Sequence, residues 1–356
     1  MSLRLGVGSF YDGSMPSLGW YILLAAAIML GVVLAVPDEG HSQEPRIVGT
    51  VGATVAPGDI GDVIWNNYAK KVSDTSNGRL AIKLLIRGET GGEDGMMTSL
   101  LRNRIQIASF SEAGMSRAVP EYGLLAAPYL FDSVEEWHFS LDNFLKPFLD
   151  ELTAAKGLTI ANWQDVGWNN IYGKKPLMSL DDTKGYRMRA LSSNTSVMFL
   201  ESIGADVIHL QRTELVTSLQ TGLVEGGETA LVLYARGGEA NYAPHFTLTE
   251  HSRASGTSVF NKAWLEGLDA ADRDIVVNGY GTEEEQRAEA ARLYDAEMAR
   301  LPGLGVTVYH LTPVQRRQFR EATRANTAKL IEASGGRARD LYDLVQKAKA
   351  EFAKRN

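Results

Sequence analysis

The residues that could do chemistry are few and scattered along this 356-residue chain. There is no cysteine, which removes disulfides, thiolate zinc sites, Fe–S ligation and cysteine nucleophiles together. The six histidines, His41, His138, His209, His245, His251 and His310, contain no pair at metal-ligand spacing. His209 and His251 adjoin apolar stretches and read as structural. The glycines of 88–92 have the wrong spacing for a dinucleotide fingerprint. Those of 222–227 lack the strand–helix–strand context and the acidic residue that would follow. No P-loop, His-Glu-x-x-His or Gly-x-Ser-x-Gly is present. Asp181 and Asp182 form a carboxylate pair, but they precede Lys184-Gly185 in what reads as a solvated turn. Neither catalytic residues nor a metal or cofactor site is expected.

Composition narrows the class further. Hydrophobic residues are 44% and charged residues 22%, close to a globular average, so general disorder and collagen-like structure are excluded. A net charge of −7 with no Lys/Arg run argues against nucleic acid as a partner. The length suggests two or three compact units.

Leu18 to Val36 runs without a charge, with Arg4 and Asp12 upstream and Asp38, Glu39 and Glu44 downstream. That order places the N-terminus in the cytoplasm and the remainder outside. Residues 1–36 read first as a cleaved signal peptide and second as a retained anchor, with 37–45 as a polar linker. The expected location of the body is the periplasm.

Beyond the linker, short apolar runs alternate with helical periodicity. Strands are expected at 47–51, 80–86 and 105–109. The intervening helices carry Val63, Ile64, Tyr68 and Val72, and then Met96, Met97, Leu100 and Leu101. Glu93 and Asp94 open the second helix, where acid is favoured. This β-α-β-α-β order is that of a parallel sheet covered by helices. Further strands are expected at 159–163, 170–173, 186–190, 206–210, 223–226, 245–249, 257–260 and 305–310. Helices are expected at 272–301, 314–334 and 339–352. A two-lobed α/β body without a reaction centre suits reversible capture of a ligand in a cleft that closes by hinge motion.

Four segments carry a family resemblance. Leu180–Leu191 (LDDTKGYRMRAL) resembles a D-L-K-G-x-K-x-R-V motif, and Glu214–Glu228 (ELVTSLQTGLVEGGE) resembles E-x-Y-x-A-L-Q-T-G-x-V-D-G-Q-E-N. Pro128–Phe131 matches a P-F-L-F run, and Glu250-His251 a T-x-H. The motifs are those of the DctP-type solute-binding proteins of tripartite ATP-independent periplasmic (TRAP) transporters, and the similarity extends over about 46–356. The resemblance implies an α/β, two-lobed periplasmic-binding-protein fold with hinge-crossing strands and a long lobe-spanning helix. Lobe I would take 46–165 and about 256–295; lobe II would take about 166–255 and 296–356. It implies capture of a small organic acid, delivery to TRAP membrane permease subunits, and no enzymatic activity.

The resemblance also places binding residues. Arg189 matches the family arginine that grips a ligand carboxylate, a task suited to a planar fork of donors; nearby Arg187 is expected to be solvated. Glu112 falls where some members carry a pocket glutamate, or it is a loop residue in solvent. Departures follow. Asn169 stands where many members have a second ligand-facing arginine, Thr229 replaces an asparagine, and Gly227 replaces a glutamine. Arg212 stands where several members place an aromatic; either it restores the charge lost at Asn169 from the other wall, or it flanks a helix at the surface. Trp168 is either a stacking wall or a core residue. The loss of an arginine at Asn169 favours a monocarboxylate, such as a hydroxy, keto or aromatic acid, over a compact C4-dicarboxylate. A sugar-derived ligand, or ligand presentation to a signalling partner, remains the alternative.

Overall fold

The computed structural model describes residues 46–55, 60–190, 193–210 and 212–355. The export segment and linker expected over 1–45 lie outside the described residues. Among the described residues no helix is long and apolar enough to cross a membrane.

Among the described residues nine strands form one sheet: β1 (Arg46–Gly52), β2 (Leu80–Leu85), β3 (Ile107–Ser111), β4 (Leu158–Gly173), β5 (Arg187–Ala190), β6 (Asp206–His209), β7 (Gly226–Ala230), β8 (His245–Asn261) and β9 (Thr307–His310). Their order is β2-β1-β3-β8-β4-β7-β5-β6, with β9 also on β8. β1 pairs in parallel with β2 and β3, and β5 with β6 and β7. Each parallel set is thus a half-sheet, and antiparallel β4 and β8 run through both. The Leu158 end of β4 pairs with Asn261, beside β3, whereas Gly173 pairs with His245, beside β7.

Each half-sheet is covered on both faces, as parallel strands require. Ile107 packs with Trp65 and Val276 on one side of the first half, and adjacent Ala108 with Leu145 and Leu341 on the other. In the second half Ile171 packs with Met188 and Phe199, and adjacent Tyr172 with Leu215 and Tyr234. Successive side chains point to opposite faces, so consecutive residues feed different cores.

The helix Glu283–Arg300 ties the halves together, its 18 residues reaching about 27 Å. Near its start Glu283 pairs with Lys146 at 2.5 Å and Arg287 with Asp142 at 2.6 Å. Near its end Glu297 pairs with Arg236 at 2.7 Å, and Arg300 donates to the Ala235 carbonyl at 2.6 Å. A reciprocal Thr282/Glu285 capping box and three acidic first-turn residues fix its start.

Several sequence boundaries are corrected. The runs 159–163 and 170–173 are one strand, β4, and 245–249 and 257–260 are one strand, β8. Polar residues between the apolar runs hid this continuity, because register breaks between Asp165 and Gly167 interrupt alternation. The single helix expected over 272–301 is two, Ala270–Asn278 and Glu283–Arg300, parted at Gly281, whose φ of +80° favours glycine. The helix expected over 314–334 is also two, Pro313–Ala322 and Asn326–Ser334. The strand expected at 223–226 lies at Gly226–Ala230. Asp182 is no idle turn residue: it forms a capping box with Ser179 on the short helix Leu180–Thr183. Phe319 packs with Met188 in the second half, but Leu330, Leu341 and Val345 pack with Leu145 and Val259 in the first.

Candidate binding cleft

The C-terminal ends of the parallel strands in both half-sheets open onto one cleft of about 1470 Å³. This is where open α/β sheets present loops and helix N-termini free of side-chain packing. From the first half come Glu93, Ser111 at the end of β3 and Glu112 just after it; from the second come Asn169, Arg189, Arg212, Glu228, Glu239 and His251.

Arg189 lies on β5, opposite Gly227 of β7 and Ile208 of β6, and is 3% exposed. Its Nε donates to the Leu210 carbonyl at 3.2 Å. Burial pulls its guanidinium below the ordinary arginine range, and the Arg212 charge pulls the same way. The helix Asn194–Ser202 begins just beyond, its Ser193 cap also lining the cleft, so a helix N-terminus adds to the positive field there. Arg187, two residues earlier, is exposed at the start of the strand and donates to the Gly222 and Leu223 carbonyls.

The cleft is lined by five arginines, and four are ion-paired: Arg87 with Asp62, Arg117 with Asp94 at 3.0 Å, Arg212 with Glu239 at 3.2 Å and Arg236 with Glu297 at 2.7 Å. Arg189 has no carboxylate within 4 Å among the described residues. A buried cation needs a compensating anion. An uncompensated guanidinium facing a cavity is a receptor for one.

Glu112 follows β3, and its Oε1 accepts from the Ser255 amide at 2.5 Å and hydroxyl at 2.6 Å. Burial pushes its carboxyl up to about 7, against the lowering effect of those donors. Asn169 donates from Nδ2 to Ser252 Oγ at 3.1 Å and lines the cleft. Arg212 lines the cleft too, at the start of the turn Arg212–Glu214. Trp168 and Thr229 are not in the lining. Trp168 is buried in the first core with the Arg253 guanidinium 4.7 Å from its ring centre, and Thr229 is buried on β7 opposite Asn170.

Three cleft residues escaped the sequence reading. His251 Nε2 donates to Glu228 Oε2 at 2.6 Å, and its ring stacks on Phe199 at 3.6 Å between centroids. His251 Nδ1 is 2.8 Å from Thr249 Oγ1, so both ring nitrogens are engaged. The third, Glu239, is 1% exposed. His251 looked structural because apolar residues surround it in sequence; Glu239 sits in a segment with no periodic signal. His209 lies exposed on the edge strand β6.

The family described as bacterial extracellular solute-binding protein, family 7, matches residues 52–334. The chain belongs to it. It is 29% identical over 261 residues to the protein YiiZ of Salmonella typhimurium, covering 71% of this chain and 78% of that one. Its fold matches a TRAP periplasmic solute-binding protein of Chromohalobacter salexigens with bound D-glucuronate (TM-score 0.77, 20% identity, 85% of this chain and 99% of the other). It likewise matches the sugar acid binding protein DctPAm of Advenella mimigardefordensis in complex with galactonate (TM-score 0.77, 24% identity, 86% and 99%). The two-lobed fold and membership of the family-7 solute-binding proteins are thereby established. Gly227, where the resemblance places a glutamine, has a physical cause: a Cβ there would stand 2.6 Å from the Tyr172 hydroxyl and 3.1 Å from the Arg189 carbonyl.

Proposed function

We propose that this family-7 protein captures a hydroxylated organic acid of the sugar-acid class, by its carboxylate, and delivers it to TRAP permease subunits outside the cytoplasmic membrane. The observation that carries this is Arg189, the unpaired arginine among five lining the cleft. Its remaining donors suit a carboxylate bidentately. One such pair does not suffice, since micromolar affinity needs about −8 kcal/mol and both ions must be desolvated. Hydroxyl contacts supply the rest. Glu112 and Asn169 offer polar atoms on the two sides of the cleft, and the glucuronate and galactonate bound by the two similar proteins have the matching chemistry.

Closure of the lobes completes the site in this reading. β4 and β8 cross between the halves, and β4 breaks register between Asp165 and Gly167, where φ reaches +111°. A bend at that position would carry Glu112 toward Arg189.

The test is a thermal-shift screen of the purified protein with D-glucuronate, D-galactonate, succinate and neutral sugars. Sugar acids are expected to raise the melting temperature by mass action, and Arg189→Gln to abolish the shift. A shift with neutral sugars that survives Arg189→Gln contradicts the reading.

A further inference from the structure

Arg212 is the second guanidinium near the ligand wall, and the protein itself answers its charge. Nη1 donates to Glu239 Oε1 at 3.2 Å, and Nη2 to the Leu233 carbonyl at 3.4 Å. Glu239 opens the turn Glu239–Asn241 and is 1% exposed, with Oε2 buried and without a hydrogen-bond partner. Burying a carboxylate with one oxygen unpaired is costly. The cation nearest its charge is Arg212, with Arg189 acting on it more weakly. Gly237 makes room for the pair: a Cβ there would stand 2.2 Å from Glu239 Oε2 and 2.6 Å from Arg212 Nη2.

The other charges of the cleft do not replace the one that Glu239 removes. Arg87, Arg117 and Arg236 have carboxylate partners of their own, and Glu93 and Glu112 on the opposite wall are acids. Among the described residues Arg189 is the lining arginine without a carboxylate at ion-pair distance, with the Glu228 and Glu239 charges acting on it from further away.

We infer that Glu239 sets the charge selectivity of the cleft: by neutralising Arg212 it leaves one cationic subsite instead of two, so the protein selects singly charged over doubly charged acids. The inference rests on the sugar-acid reading above and names the subclass within it. A second carboxylate arriving at Arg212 would meet a guanidinium already paired and the like charge of Glu239 beside it. Its desolvation would then go unreturned. A terminal hydroxyl can accept from Arg212 without that cost.

Galactonate and galactarate make a matched test, differing only in a terminal CH2OH or carboxylate. Calorimetry of the purified protein is expected to show galactonate bound at least about tenfold tighter than galactarate. Glu239→Gln keeps an acceptor for Arg212 and removes the charge, so it should close that gap by about tenfold through gained galactarate affinity. Arg212→Gln, a second variant should the first not fold, leaves Glu239 unopposed and is expected to widen the gap. Equal binding of the two acids by the unmodified protein, or a ratio unchanged in both variants, overturns the inference and leaves the sugar-acid reading standing. Binding of neither acid overturns the sugar-acid reading and this inference with it.

Discussion

Glu112 and Ser255 are joined across the cleft's inner edge, the glutamate Oε1 accepting from both the serine amide at 2.5 Å and its hydroxyl at 2.6 Å. The contact fastens the short helix Glu112–Met115, which follows β3, to the crossing strand β8. It also holds an acid whose carboxyl burial raises from 4.5 to about 7. The folded protein therefore keeps a proton that the unfolded chain gives up at lower pH. Stability from this group is full below about 4.5, falls as pH rises toward about 7, and is level above that. Glu112→Gln should remove this part of the decline. Melting temperatures of the two proteins between pH 4.5 and pH 8 check it; parallel profiles contradict the assignment.

Arg189 separates binding from stability. Its Nε bond to the Leu210 carbonyl is the one protein hydrogen bond described for it, so Arg189→Gln should change the stability of the ligand-free protein by no more than about 1 kcal/mol. The same change should weaken sugar-acid binding by about a hundredfold or more. Arg189→Lys should not restore it fully, because an ammonium lacks the planar fork. Urea denaturation without ligand and calorimetry with D-galactonate give the two numbers.

Asp165 is where the crossing strands are held. It pairs with the buried Arg253 and, at 2.8 Å, with His138. Burial alone would raise its carboxyl, but the His138 hydrogen bond and the Arg253 charge outweigh it and hold it below the ordinary range. Its stabilisation is accordingly present above the ordinary aspartate value and is lost as pH falls through the lower folded one. Arg253 Nε and Nη1 are already buried without partners. Asp165→Asn should therefore cost about 3–5 kcal/mol in urea denaturation at neutral pH; a loss under about 1 kcal/mol would show that Arg253 is compensated elsewhere.

Gly227 is predicted to be intolerant of any side chain. Alanine would meet the Tyr172 hydroxyl at 2.6 Å, and overpacking of this kind costs about 1–3 kcal/mol. Since the nearest atom is the hydroxyl oxygen, Tyr172→Phe in the same chain should recover part of the loss. No recovery would place the strain in the backbone of β5 instead.

Alternation of apolar and polar residues located most strands and helices, because each half-sheet is a conventional layered unit with cores on both faces. It failed where physics other than burial sets the pattern. β4 and β8 read as pairs of short strands, since their middle residues, Gln164 to Trp168 and Ser252 to Gly256, form the crossing between the half-sheets instead of facing one uniform core. The helix break at Gly281 depends on a single left-handed residue. Of the residues singled out in the sequence, Glu112, Asn169, Arg189 and Arg212 line the cleft, whereas Trp168 and Thr229 are buried outside its lining. What no motif could convey is charge pairing: that Arg212 is neutralised and Arg189 is not depends on Glu239, which lies 27 residues from Arg212.

In the proposed function one unpaired guanidinium, that of Arg189, captures the carboxylate of a sugar acid. Calorimetric titration with D-galactonate and with galactitol, its neutral counterpart, tests this most directly. Galactonate is expected to bind in about the micromolar range, galactitol not to bind, and Arg189→Gln to lose galactonate. Galactitol binding as tightly as galactonate, or Arg189→Gln retaining full affinity, would contradict it.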